Sequence, residues 1–316
     1  MSVTTLTTLP DLNHGLDQVV RQVGEIVVGK ETAIRRCFAC LLARGHLLIE
    51  DLPGVGKTTL AHALARSLGL QFQRIQFTSD LLPADILGVS IYERSKGDFS
   101  FHEGPIFAQM VLADEVNRAT PKAQSALLEA MEEHQVTIEG QTRALPEPFF
   151  VIATQNPTHQ LGTFPLPESQ LDRFAMRITL GYPDPKAERL LLEGEDRRDL
   201  LERVRPGMDN RRLKECQSAV QQVHVSSEWL NYLQRLLTWS RESPLLRTGL
   251  SPRAGLALVR TSQAWALLQG RDFVLPEDLQ EMLQPVAAHR LVASTEAGHT
   301  DGQALVAEML KSVAVG

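Results

Sequence analysis

The sequence predicts an α/β fold, a parallel sheet between layers of helices, followed by a smaller all-helical domain. Three observations carry this. Up to about Tyr182, short apolar runs alternate with segments of helical periodicity, the pattern of βαβ units. Those apolar runs lack polar–apolar alternation, as strands covered on both faces do. After Gly181-Tyr182-Pro183-Asp184-Pro185 the character changes, and from Lys186 onward the periodicity is helical with no convincing strand. The boundaries that follow are a flexible tail over 1–11, an α/β core over 12–183 and a helical lid over 184–316. With 43% hydrophobic and 22% charged residues, the 316-residue chain has the composition of a folded protein.

The elements follow in order. Met1 to Pro10 is Thr-rich, with neither a basic start nor an apolar signal core. Arg35–Ala43 reads as a helix preceding the first strand. Strands are expected over His46–Ile49, Phe72–Gln76, Val111–Ala113, Phe149–Ala153 and Arg177–Thr179. Two inserted β-hairpins interrupt this series. One pairs Val89–Tyr92 with Phe99–His102 across the polar turn Glu93–Asp98. The other pairs Gln135–Ile138 with Thr142–Leu145, with Gly140 at the turn. In the lid, Ser226 or Ser227 can cap a helix over Trp229–Arg241. Ser251-Pro252-Arg253 gives an N-cap, then Pro in the first turn, and Pro276-Glu277-Asp278 opens another helix in the same way.

Leu48-Ile49-Glu50-Asp51-Leu52-Pro53-Gly54-Val55-Gly56-Lys57-Thr58-Thr59 is the strongest chemical signal. An apolar strand runs into a Gly-rich turn and then a helix whose inward stripe is Leu60, Ala61, Leu64, Ala65 and Leu68. Such a loop wraps phosphates with backbone N–H groups. Lys57 reaches the outer phosphates, and the Thr58 hydroxyl ligates Mg²⁺. One position departs from G-x-x-x-x-G-K-[ST]: Asp51 stands where the first Gly belongs. Asp tolerates unusual backbone angles, so the turn survives, and Asp51 is expected at the strand end, turned away from the phosphates.

Met110-Val111-Leu112-Ala113-Asp114-Glu115 is a second strand, ending in two acids. Asp114 would hold Mg²⁺ and Glu115 would polarise the attacking water. Phe149 to Ala153 leads to Thr154-Gln155-Asn156-Pro157, where Asn156 either orients water near the γ-phosphate or simply forms a turn before Pro. Arg173, in Leu171-Asp172-Arg173-Phe174, presents a planar fork suited to phosphate oxygens, or pairs at the surface with Asp172 or Glu168. Arg253, in the first turn of a lid helix, has the same two readings, and Arg118 is a third candidate.

Other classes find less support. A formal net charge of -6 leaves no broad basic field for polyanions. No apolar run reaches the ~18–20 residues that span a bilayer, so a cytoplasmic protein is expected. Three Cys make a disulfide framework improbable, and the lone Cys37-x-x-Cys40 sits in a helix where both side chains can simply pack. The nine His are scattered without metal-binding spacing.

With these residues assembled, the chain resembles AAA+ ATPases of the MoxR family. The likeness runs from about Val27 to Arg290. It rests on L-I-E-D-L-P-G-V-G-K-T-T (Leu48–Thr59), L-A-D-E-V-N-R-A-T-P-K-A-Q-S-A-L-L-E-A-M-E-E-H-Q-V (Leu112–Val136), A-T-Q-N-P (Ala153–Pro157), F-P-L-P-E-S-Q-L-D-R-F (Phe164–Phe174) and Ser251–Arg260. Asp51 fits that family's form of the loop. The resemblance implies an AAA+ core with a helix-2 insert and a pre-sensor-1 insert, then a helical lid. It implies ATP and Mg²⁺ as cofactors. Pro53, Gly54, Val55, Gly56, Lys57, Thr58 and Thr59 would bind phosphates, and Val28 and Gly29 would line the adenine pocket. Asp114 and Glu115 take Walker B roles and Asn156 that of sensor 1. Arg173 becomes an arginine finger entering the neighbouring subunit's site. Arg253 becomes sensor 2, gripping the phosphates as the lid closes. It further implies a homo-oligomer, a hexameric ring, that matures or activates client proteins, often metalloenzymes, commonly with a partner bearing a von Willebrand factor A domain.

Two other readings stand beside this one. A nucleic-acid motor would need basic or aromatic pore hairpins, but the hairpin turns carry Glu93, Arg94, Lys96 and Asp98, and Glu139 and Arg143, balanced in sign. A nucleotide-dependent switch with little turnover would not need Lys57, Asp114 and Glu115 together.

Overall fold

The computed structural model describes residues 9–95, 97–156, 163–294 and 301–315. Helices α1 (Leu9–Ile26) and α2 (Glu31–Leu42) precede strand β1 (Leu47–Glu50). Then come α3 (Lys57–Ser67), β2 (Phe72–Gln76), α4 (Pro83–Leu87), β3 (Gly88–Glu93), β4 (Asp98–Glu103), β5 (Met110–Asp114), α5 (Pro121–Glu133), β6 (Gln135–Ile138), β7 (Gln141–Ala144), β8 (Phe150–Gln155), α6 (Glu168–Leu171) and β9 (Met176–Ile178). The remainder is α7 (Pro185–Glu193), α8 (Arg197–Arg203), α9 (Asn210–Val220), α10 (Ser227–Glu242), β10 (Leu246–Thr248), α11 (Pro252–Leu268), α12 (Pro276–Ala287), β11 (Val292–Ala293) and α13 (Gly302–Ser312).

The five expected core strands form one sheet in the order β2-β5-β8-β1-β9, with every neighbouring pair parallel. Successive side chains of a strand point to opposite faces, and both faces are covered. Leu47 and Ile49 of β1 join the apolar cluster of α1, α2 and α3, with Leu112 of β5 and Ile152 of β8. Leu48, Val111 and Val151 point the other way, against Ala123, Leu127 and Met131 of α5. This accounts for the missing alternation in the sequence. The first cluster continues without a break into Leu258 and Leu267 of α11 and Leu279 and Leu283 of α12, so the lid packs on the α1–α2 face of the core.

Three local expectations change. Helix α1 begins at Leu9, inside the segment expected to fray. Its Leu12, Leu16, Val19, Val20 and Val23 form a buried stripe that pins it to the core; residues 1–8 lie outside the described residues. The second hairpin is tighter than expected. Glu139 (φ 52) and Gly140 (φ 78) both adopt left-handed backbone, as a two-residue turn requires, so pairing already starts at Gln141. In the lid, β10 and β11 form a small antiparallel sheet that helical periodicity does not reveal. The caps are as expected: Ser226 Oγ accepts from Trp229 N–H, Ser251 Oγ from Ala254 N–H, and Asp278 from Leu275 N–H at the start of α12.

Cys37, Cys40 and Cys216 are free and buried. Burial pushes the Cys37 and Cys40 thiols up, so both are packing groups. Among the described residues no helix is long and apolar enough to cross a membrane.

Candidate nucleotide-binding and hydrolysis site

Ligands of open parallel sheets bind beyond the carboxyl ends of the strands. Here that edge carries the loop after β1. Gly56 (φ 96) caps α3, and Gly54 (φ 82) shapes the turn before it. A Cβ built on either glycine meets nothing within 4 Å, so the space beside both glycines is open at the head of a helix. Thr58 and Thr59 lie in the first turn of α3. Such a concavity, with unpaired N–H groups and the positive end of the helix dipole, fits phosphate. Lys57 is buried and its Nζ donates to the Asp51 and Leu52 carbonyls at 2.5 and 3.0 Å. Burial lowers its ammonium pKa, while the carboxylates of Asp51, Asp114 and Glu115 pull it back up.

Asp51 faces away from this concavity, as expected. Its Oδ1 accepts from Leu52 N–H at 2.8 Å, and its Oδ2 accepts from Leu180 N–H at 2.5 Å and Gly181 N–H at 2.6 Å. The carboxylate thus ties the phosphate loop to the strand exit that leads into the lid.

Strand β5 delivers Asp114 and Glu115 to the same edge. Asp114 is buried; its Oδ1 accepts from the Thr154 hydroxyl at 2.5 Å, and its Oδ2 from Arg74 Nε at 3.1 Å and a terminal nitrogen at 2.6 Å. Glu115 sits in left-handed backbone (φ 59), a conformation costing a non-glycine residue on the order of 1 kcal/mol and typical of functional sites. Three side chains hold its carboxylate: Asn156 at 2.9 Å, Gln76 at 2.9 Å and Arg118 at 3.2 Å. So Asn156 meets Glu115 directly, and Pro157 lies outside the described residues. Thr58, Asp114 and phosphate oxygens are hard donors suited to Mg²⁺.

Val28 and Gly29 form the turn between α1 and α2. A groove of about 770 Å³ runs past Val27, Gly29, Thr32 and Arg36 to Thr179 and Leu180. A Cβ on Gly29 would come within 2.6 Å of the Ala187 Cβ, so only glycine lets α7 approach here. Lys30 Nζ donates to the Tyr182 carbonyl at 2.6 Å. This turn, like Asp51, is fastened to the segment entering the lid.

Arg173 and Arg253 are not at this edge. Arg173 lies in the turn before β9, and Ala175 N–H bonds the His46 carbonyl at the amino end of β1. From His46 to Asp51 is about 16 Å of strand at ~3.3 Å per residue. Both guanidinium groups share one carboxylate, Glu132 near the end of α5: Arg173 pairs with it at 2.9 Å, and Arg253 forms a short ion pair with it. Arg253 therefore lies beside Glu132 and Asp172 rather than over its own chain's phosphate loop. Its place is fixed by the start of α11, which packs beside Asp172 through Ser251.

Arg74, Gln76, Thr154, Glu132 and Asp172 are further site residues. Arg74 and Gln76 had a readable signal: two long polar side chains two residues apart on β2, the strand of this sheet richest in polar residues. Glu132 and Asp172 had none, since their partners are distant in sequence.

The comparisons with known proteins agree with this architecture. Residues 46–176 match the model of the ATPase family associated with various cellular activities (AAA), and 239–309 match that of an AAA lid domain. The chain is 43% identical to Bacillus subtilis protein YeaC, itself uncharacterised, over 96% of each chain. It is 40% identical to chaperone MoxR1 of Mycobacterium tuberculosis, over 90% of this chain and 77% of that one. A crystal structure of a Cytophaga hutchinsonii protein assigned as an ATPase superposes with a TM-score of 0.90 at 36% identity, over 97% and 96% of the two chains.

Proposed function

Because the chain belongs to the MoxR-like family of AAA+ ATPases, whose architecture implies nucleotide hydrolysis, we propose that it hydrolyses ATP with Mg²⁺ at sites completed between neighbouring subunits. The observation that carries this reading is the separation of the phosphate loop, Asp114, Glu115 and Asn156 from Arg173 and Arg253, at opposite edges of one sheet. A chain built so presents two half-sites, and a heterologous, ring-closing contact joins one to the other.

The roles follow from the chemistry. The backbone from Pro53 through Gly54, Val55 and Gly56 to Thr59 cradles the phosphates, Lys57 neutralises them, and Val28 and Gly29 flank the base. Thr58 and Asp114 would hold Mg²⁺, which supplies charge neutralisation and in-line orientation when bound. Glu115 orients and polarises the attacking water, and Asn156 fixes the Glu115 carboxylate for that task. Arg173 and Arg253 of the next subunit meet the charge that develops on the γ-phosphate. Residues 12–183 serve as the nucleotide core and 184–316 as the lid.

The resemblance supports a hexameric ring acting as a chaperone on client proteins beside a von Willebrand factor A partner. MoxR1, a close relative, is named a chaperone. The β3–β4 hairpin supports client contact: Val89, Ile91, Tyr92 and Phe99 are exposed on it, Tyr92 and Phe99 packed edge to face at 5.4 Å. Mg²⁺-dependent ATP turnover by the purified protein tests the activity. The Glu115→Gln variant should bind ATP and stall; turnover at the wild-type rate would remove Glu115 from the catalytic role.

A further inference from the structure

Several lid side chains hold the Arg173 turn. Arg290 lies in the turn after α12, and its side chain is 5% exposed. Its Nε donates to Asp172 Oδ1 at 2.7 Å. Its terminal nitrogens donate to the carbonyls of Asp172 at 2.9 Å, Phe174 at 2.7 Å and Ala175 at 3.2 Å. One guanidinium thus wraps the backbone on both sides of Arg173. His289 adds an Nε2–H bond to the Phe174 carbonyl at 3.2 Å. From β10, Arg247 pairs with Glu168 of α6, and from the α11 cap Ser251 Oγ donates to the Asp172 carboxylate at 3.2 Å. By contrast, among the described residues the Arg173 side chain has one core partner in its ion pair with Glu132. Phe174 is fully buried, so the turn cannot rotate as a free loop.

We propose that Arg290 is a positioning residue for Arg173, and that through it the lid of one subunit sets how well that subunit completes its neighbour's hydrolytic site. This rests on the reading of Arg173 as acting in trans. The physics is that of a rigid fork: four hydrogen bonds reach the turn and one anchors the guanidinium to the Val286 carbonyl of α12, which defines the turn's place to within ~0.5 Å and which a flexible lysine cannot reproduce. A misplacement of about 1 Å at a charge-neutralising group costs up to ~10²-fold in rate. A lid that shifts with its own nucleotide, entered through a segment that Asp51 fastens to the phosphate loop and Lys30 to the adenine turn, would carry the finger with it.

The test uses full-length Arg290→Lys, which keeps the charge and loses the fork. Turnover of the variant alone should fall about tenfold or more, while binding of a fluorescent ATP analogue stays within twofold of wild type. Mixed with Lys57→Ala, it should regain activity, because intact loops of one then meet intact fingers of the other. Mixed with Arg173→Ala, it should regain nothing, since both lack the same half-site. A wild-type rate for Arg290→Lys overturns the proposal. So does failure to complement Lys57→Ala under conditions where Arg173→Ala does complement it. Failure of Arg173→Ala itself to complement Lys57→Ala instead refutes the trans reading on which the proposal stands. If Arg290→Lys does not fold by thermal melting, Asp172→Asn, which weakens the same contact from the finger side, is put through the same pairings and decides by the same outcomes.

Discussion

The two edges of the sheet are built differently. At the carboxyl edge, acids and amides converge on one another: Asn156, Gln76 and Arg118 hold Glu115, and Thr154 and Arg74 hold Asp114. An open glycine turn lies beside them. At the amino edge, Arg173 and Arg253 converge on Glu132, and Arg290 on Asp172. The first edge offers donors to a phosphate and oxygens to a cation; the second offers positive charge with nothing of its own to act on. Arginines kept on a carboxylate stay ordered and partly neutralised until a stronger anion replaces it. On the proposed reading, the difference is that between two complementary halves of one site, both carried by each chain.

The sharpest way to break this comparison is at the second edge. Arg173→Ala should cut turnover on the order of 10³-fold or more while leaving ATP affinity unchanged. A loss of affinity measured by calorimetry would mean that Arg173 serves its own loop. Next in size, Glu115→Gln should lower turnover by roughly 10²–10⁴-fold with binding retained, measured as phosphate release. Arg253→Ala should cost roughly ten- to a hundredfold in turnover, the value of a charge-assisted contact of ~1.5–3 kcal/mol, again without weakening ATP binding. A fall in the affinity of unassembled Arg253→Ala subunits would restore the grip in cis.

Two smaller effects sharpen the contrast through stability. Asp51→Ala leaves the Leu180 and Gly181 N–H groups without their acceptor and should cost about 1–3 kcal/mol in chemical denaturation. His46, at the amino edge, accepts from Val151 N–H through Nδ1 at 3.0 Å and donates to the Met131 carbonyl through Nε2 at 3.1 Å, an arrangement open only to the neutral ring. Burial lowers its pKa from 6.5 to about 4. Between those values the unfolded chain binds the proton and the fold does not, so stability falls as pH drops through that window. By pH ~5.5 the loss should reach about 1 kcal/mol, and His46→Gln should flatten the slope.

The same contrast governs what the sequence discloses. The phosphate loop and the Asp114-Glu115 pair are contiguous, and their chemistry needs those residue types in that order, so both are legible. The fold is legible too, because strands buried on both faces and amphipathic helices leave periodic traces. The amino edge is written across Glu132, Asp172–Arg173, Ser251–Arg253 and Arg290, and Arg290 meets Asp172 across 118 residues. No local pattern announces such pairing, so Arg253 is legible as a phosphate-type arginine but not as one facing away from its own loop. Asp51 is intermediate: its turning away follows from the loop pattern, but its partner lies 129 residues on. The short strands β10 and β11 carry too few residues to show a period.

The most direct test is ATP turnover in equimolar mixtures of Arg173→Ala and Lys57→Ala, with mixed assembly verified by differently sized tags. If the site is divided as proposed, each variant alone lacks one half of every site. Random assortment in a ring pairs an intact loop with an intact finger at about a quarter of the interfaces, so the mixture should hydrolyse ATP well above either parent. A mixture that assembles and stays as inactive as its parents would contradict the division of the site between subunits.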